Sequence, residues 1–190
     1  MARRPSRPPS TLVLLVRHGQ TATTGKVLPG RAPGLHLADT GQAQARETAA
    51  PIAAARGLRV RADRGLLELD IGEWTGEELK AAAKRPEWRV VQRHPSGFRF
   101  PGGESFVELQ TRIVGTIDRL VAAHRGGTVV AVSHADPIKA AVVHATGAHL
   151  DMFQRITIAP ASITAVAYGE LGPMVLNVNW LPAPFGEKPS

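Results

Sequence analysis

Leu12-Val13-Leu14-Leu15-Val16-Arg17-His18-Gly19-Gln20 is the stretch on which the fold turns. An unbroken apolar run of this length predicts a strand buried on both faces, as in the parallel sheet of an α/β domain. Open α/β sheets bind ligands beyond the carboxyl ends of their strands, so Arg17 and His18 emerge at the edge where a site belongs. Gly19 lets the backbone bend and approach a ligand closely. A second apolar run, Thr128-Val129-Val130-Ala131-Val132, ends in Ser133-His134, with Asp136 and Pro137 reading as the N-cap and first residue of a helix. Two histidines at strand ends, one beside a cation and one just before a helix N-terminus, form an anion-site signature.

Outward from these strands, the Ala-rich run from Asp39 to Arg56 favours helix, with Pro51 as a kink and Gly57 as its stop. Leu58 to Val60 reads as a short strand, Leu66 to Ile71 leads into a turn at Gly72 and Gly76, and helix returns around Glu77 to Ala83. Pro86 to Gly103 reads as irregular. Ser105 and Glu108 make a capping box for an amphipathic helix to about His124, with Phe106, Leu109, Ile113, Ile117 and Leu120 on one face. A helix from Pro137 to about Ala145 follows the second strand. Ser162 to Tyr168 and Met174 to Trp180 then read as a closing antiparallel pair.

Composition bounds the partners. The 190 residues suit one domain over residues 11–182, between a solvated basic tail at 1–10 and a flexible tail at 183–190. The chain has no cysteine, which excludes a disulfide framework, a thiolate metal site and a cysteine nucleophile. The net charge of +7, part of it from Arg3, Arg4 and Arg7, favours anionic partners. One Tyr, three Trp and five Phe without basic-aromatic interleaving argue against nucleic acid. The apolar stretches are only strand-length, so no membrane partner is expected; with no signal-peptide core, the expected location is cytoplasmic.

Arg17-His18-Gly19-Gln20-Thr21, the loop from Gly25 to Leu37, Leu67 to Gly76, Phe100-Pro101-Gly102-Gly103-Glu104-Ser105 and Ser133-His134 together resemble the histidine phosphatase superfamily, the group that includes phosphoglycerate mutases. The stretches Trp88 to Gln92, Phe98 to Pro101 and Leu150 to Arg155 are further similar to an actinobacterial subgroup described as phosphomutases. The resemblance implies metal-independent hydrolysis of a small phosphorylated metabolite through a phosphohistidine, without a cofactor. A neutral imidazole suits the role of nucleophile because no alkoxide has to be generated, so His18 takes it. Arg17 and a protonated His134 would hold phosphate oxygens, and Glu68 would alternate as general acid and base. Gln20, Thr21 and Ala135 would line the substrate site. Asp70 and Glu73 are weaker alternatives to Glu68, and Glu104 either lines the site or favours the helix dipole. A phosphomutase and a noncatalytic phospholigand-binding protein stay open beside the phosphatase.

One departure bears on both fold and rate. Family members usually carry a strand and a Ser-Pro-Leu-x-Arg segment where this chain runs directly from Ala45 into Arg46, and Gln44 falls at that arginine's position. The expectation is therefore an α/β, mostly parallel sheet flanked by helices that lacks one core strand-helix unit, with an impaired rate and self-association. Losing one charge-stabilising donor costs about 10²- to 10³-fold in rate. Ala135 stands where the family usually has Gly and would crowd the phosphate pocket.

Overall fold

The computed structural model describes residues 9–20, 24–28, 30 and 37–181. Much of the loop after Gln20, including Thr21, lies outside them, as do residues 1–8 and 182–190 of the two expected tails. Four strands, β1 (Thr11–Arg17), β2 (Thr128–Ser133), β3 (Ile163–Gly169) and β4 (Gly172–Trp180), form one sheet in the order β2-β1-β3-β4. The apolar run of β1 lies inside the sheet, with Val13 and Leu15 fully buried. Helices α1 (Leu37–Ala54), α2 (Leu79–Ala82), α3 (Trp88–Arg93), α4 (Phe106–Ala123) and α5 (Ala135–Ala145) flank it.

β1 and β2 pair in parallel from Leu12 opposite Thr128 to Arg17 opposite Ser133, which puts His18 and His134 just beyond two adjacent carboxyl ends. The rest of the sheet is antiparallel, so the expectation of a mostly parallel sheet is corrected to a mixed one. The reason is where β3 starts. After α5 the chain passes through a 3₁₀ segment, Leu150–Arg155, and arrives at the carboxyl end of β1, where the Ala161 N–H donates to the Arg17 and His18 carbonyls at 3.1 and 3.2 Å. A strand that begins where its neighbour ends must run the other way.

The core packs the amphipathic face of α4 and the apolar face of α5 against the sheet, with Leu109, Ile113, Ile117, Ile138 and Val143 buried. Leu120 of the expected α4 face is half-buried. The capping box is present: the Ser105 hydroxyl accepts from Glu108 N–H at 3.2 Å and the Glu108 carboxylate accepts from Ser105 N–H at 2.9 Å. Beside them lies an aromatic cluster in which Trp74 meets Trp88, Phe98 and Phe100 at ring separations of 6.4, 5.7 and 5.2 Å.

Three local expectations are corrected. Leu58 to Val60 is exposed and not a strand, since no strand edge is paired with it and so short an isolated run has no ladder to complete. The stretch from Pro86 to Gly103 contains α3, because Trp88 and Val91 lie one turn apart and pack toward the aromatic cluster. Helix α5 begins at Ala135 with His134 as its N-cap, and the His134 carbonyl accepts from Ile138 N–H at 3.4 Å. Asp136 therefore sits in the first turn, where its charge suits the helix dipole.

Candidate active site

His18 is set by backbone bonds before its ring does anything. Its N–H donates to the Ser133 carbonyl at 3.0 Å, which joins it to the strand that carries His134. The ring nitrogen Nδ1 lies 2.7 Å from the Gly19 carbonyl. A carbonyl can only accept, so Nδ1 carries the proton and the lone pair of the neutral imidazole is on Nε2. Burial, with the Arg17 charge as a smaller cause, moves the His18 pKa below its ordinary value despite the opposing Gly19 bond. The ring is thus neutral. His134 is also buried, and its ring centroid is 5.0 Å from that of His18, edge to face.

Gly19 takes part through its backbone and not through a left-handed conformation, which it does not adopt. Its N–H donates to the Thr48 hydroxyl at 3.1 Å, and that hydroxyl donates to the Gln44 carbonyl at 3.0 Å. Helix α1 therefore turns Thr48 toward the histidine loop, with Gln44 half-buried one turn before it, whereas Arg46 is exposed, as is Arg61.

Arg17 reaches the Ile158 carbonyl through Nη1 at 2.5 Å, while its Nε is buried with no hydrogen-bond partner among the described residues. A buried donor left without an acceptor fits a site for an anion. Burial lowers the Arg17 pKa from its ordinary value, opposed by the charges of Glu68 and Asp136.

Glu68 is carried by a segment without regular structure that is nevertheless held at several points. Arg112 of α4 donates to the Gly65 and Leu67 carbonyls at 2.9 Å each and to the Glu68 carbonyl at 3.3 Å. The Ser133 hydroxyl donates to the Leu66 carbonyl at 2.7 Å. Glu104 pairs with Arg112 at 2.8 Å, both side chains under one-fifth exposed, and accepts from Asp70 N–H at 3.1 Å. Two loops meet backbone to backbone here: a Cβ on Gly72 would come within 2.1 Å of the Pro101 carbonyl oxygen, so only glycine fits. Glu104 thus braces the segment instead of facing a ligand directly, and Asp70 folds back onto Gly72 N–H at 3.0 Å.

Glu68 is half-buried on the cavity, and its Oε1 accepts from Leu69 N–H at 2.9 Å. That burial, reinforced by the charge of Asp136, pushes its pKa up to about 8. The shift favours the protonated form of Glu68 at neutral pH.

A cavity of about 430 Å³ runs from Arg17 and Glu68 past Ala135 between α3 and α5. Its charged lining also includes Asp136 and Lys139, which pair at 3.4 Å in an i, i+3 arrangement on α5. Sequence reading missed Lys139, and it took Asp136 for a cap; the i, i+3 spacing was the signal available. It also missed Arg112 and Thr48, whose partners are distant in sequence. Gln20 is exposed. Among the described residues no three His, Cys, Asp or Glu side chains gather as a metal cluster.

Residues 45–181 match the histidine phosphatase superfamily (branch 1). The chain belongs to this superfamily. Arg17 and His18 of this superfamily member precede the matched span. A relative from Mycobacterium tuberculosis, bifunctional protein Rv2228c, is 31% identical over 183 residues, covering 83% of this chain; the chain spans only 50% of that relative's length. Phosphoserine phosphatase 1 of Hydrogenobacter thermophilus is 30% identical over 134 residues, covering 70% of this chain and 64% of its own. Among solved structures, mycobacterial glucosyl-3-phosphoglycerate phosphatase Rv2419c superposes with a TM-score of 0.73 at 22% identity, covering 90% of this chain and 99% of the other. That likeness concerns the fold. No helix among the described residues is long and apolar enough to cross a membrane.

Proposed function

We propose that this superfamily member hydrolyses phosphomonoesters of small metabolites through a phosphohistidine formed on His18. The observation that carries the reading is that His18 presents its lone pair on Nε2 beside the His134 ring, while Glu68, its pKa raised to about 8, shares a cavity with the adjoining Arg17. Nε2 attacks phosphorus while the ester bond breaks. The leaving oxygen takes the Glu68 proton, and the Glu68 carboxylate then accepts a proton from the water that hydrolyses the phosphohistidine. Arg17, through its unpaired Nε–H, and His134 bind the equatorial oxygens. Ala135 borders the leaving group from the start of α5, and Gln20 and Thr21 complete the substrate contacts from the loop. The relatives include a phosphoserine phosphatase, which agrees with this class of reaction.

Impairment is part of the proposal. Arg46, one half turn from the position of the family's second arginine, is exposed, which leaves Arg17 and Lys139 as the cations on the cavity lining among the described residues. The turnover expected is slow but real, which favours a phosphatase over a mutase that must also hold a second phosphate.

The experiment is rapid quench under alkali followed by phosphate analysis, with aryl and alkyl phosphates as substrates. A base-stable, acid-labile phosphoenzyme that vanishes in His18→Ala is the expected result. Glu68→Gln should slow alkyl esters at least tenfold more than aryl esters, because good leaving groups need less protonation. Turnover in His18→Ala at the wild-type rate overturns the mechanism.

A further inference from the structure

The cavity beyond the reacting centre carries information about the alcohol that leaves it. Its walls are Leu28, Leu79, Trp88, Val91, Phe100 and Ile156, drawn from the loop after β1, from α2 and α3, and from the segments on either side of α4 and α5. Beyond Arg17 and Glu68 at the reacting centre, the polar groups Lys139, Asp136 and Gln154 on the same lining are bonded within the protein. Lys139 Nζ faces Asp136 and the Gln154 side-chain oxygen, each at 3.4 Å, and lies 5.0 Å from the Phe153 ring centre. The Gln154 amide donates to the Val91 carbonyl at 3.4 Å. Gln92 and Thr157 are exposed and belong to the mouth.

We infer that this cavity selects phosphomonoesters of an uncharged, largely apolar alcohol, aromatic or aliphatic, over phosphorylated polyols, sugars and amino acids. The inference rests on the phosphatase reading of the same site. A polyol entering here trades the water bonds of the hydroxyls that pass the mouth for walls of Leu, Trp, Val, Phe and Ile, and a buried hydroxyl without a partner is strongly disfavoured. An apolar alcohol makes no such demand and gains from leaving water. A second anionic group would have to take Lys139 from Asp136, beside the Glu68 carboxyl, where Asp136 already acts electrostatically. The walls therefore reward apolar area, and among the described residues the cation on the lining beyond Arg17, Lys139, is paired with Asp136.

Binding and turnover test this separately. Phosphonates cannot be hydrolysed, so calorimetry with the full chain compares methylphosphonate, benzylphosphonate, hexylphosphonate and 3-phosphonopropionate by affinity alone. Benzyl- and hexylphosphonate are expected to bind at least tenfold more tightly than methylphosphonate. Trp88→Ala should erase most of that gain for the benzyl compound. Because Trp88 also stacks on Trp74, Leu79→Ala, at a half-buried position, is the second variant, with the same direction expected. Turnover is read in parallel as kcat/KM for benzyl phosphate against phosphoserine and 3-phosphoglycerate, and benzyl phosphate should lead by at least tenfold. Equal affinities across the series, or tightest binding of 3-phosphonopropionate, overturn the inference and point to Lys139 as an anion site. If the affinity order holds but no ester is turned over, the phosphatase reading fails while the apolar cavity stands as a ligand site.

Discussion

At the scale of single residues, His18 and Glu68 are both shifted toward the uncharged form, for different reasons. The Nδ1 of His18 is committed to a carbonyl one residue away, a contact the chain makes locally. Glu68 is shifted upward because distant parts of the chain bury it and set the Asp136 charge within reach. That difference predicts a pH signature in stability. The unfolded chain releases the Glu68 proton near its ordinary 4.5, whereas the folded chain holds it to about 8. Between those values the folded state binds a proton that the unfolded state lacks, so stability falls as pH rises through the window and levels off above it. Glu68→Gln removes this slope. Melting temperatures of the wild type and Glu68→Gln from pH 5 to pH 9 should therefore diverge in favour of the variant as pH rises; parallel curves would mean that Glu68 ionises normally.

At the scale of elements, α4 is both a core helix and a brace. Its apolar face was legible from Phe106, Leu109, Ile113 and Ile117, and its start from Ser105 and Glu108, because period and capping are local rules. Its function as a brace was not legible. Arg112 lies between the apolar positions, and nothing local tells that its guanidinium ends among the Gly65, Leu67 and Glu68 carbonyls and the Glu104 carboxylate. Breaking a buried ion pair by removing one partner leaves the other uncompensated, at roughly 3 kcal/mol. Arg112→Met should lower urea-unfolding stability by about that amount, and it should also lower alkyl-ester turnover more than aryl-ester turnover by displacing Glu68. Arg112→Lys should keep part of the stability and little of the leaving-group behaviour, since an ammonium cannot span the same acceptors. A loss of stability with the alkyl-to-aryl ratio unchanged would mean that Arg112 supports the core alone.

At the scale of the whole molecule, the sheet ends in two strands with exposed apolar side chains: Val130 on β2 is 42% exposed, and Met174, Leu176 and Trp180 on β4 are each more than half exposed. Unpaired strand edges with apolar surface favour association, and we propose that the chain self-associates. Sedimentation velocity across a hundredfold concentration range should show a rising weight-average mass, and a concentration-independent monomer would refute it. The sequence by itself determined the two apolar strands and the histidines at their ends, the α4 and α5 helices and the closing hairpin, because each is written in consecutive residues as a period, a cap or a turn. It also carried the family likeness. Only the tertiary structure decided that the sheet is mixed, since strand direction depends on where β3 returns to β1. The same holds for the bracing of Glu68 and for the cavity that joins Arg17 and Glu68 to Lys139. Burial and long-range pairing set charge states and cavity walls, and these depend on residues brought together from as far apart as Arg17 and Ile158.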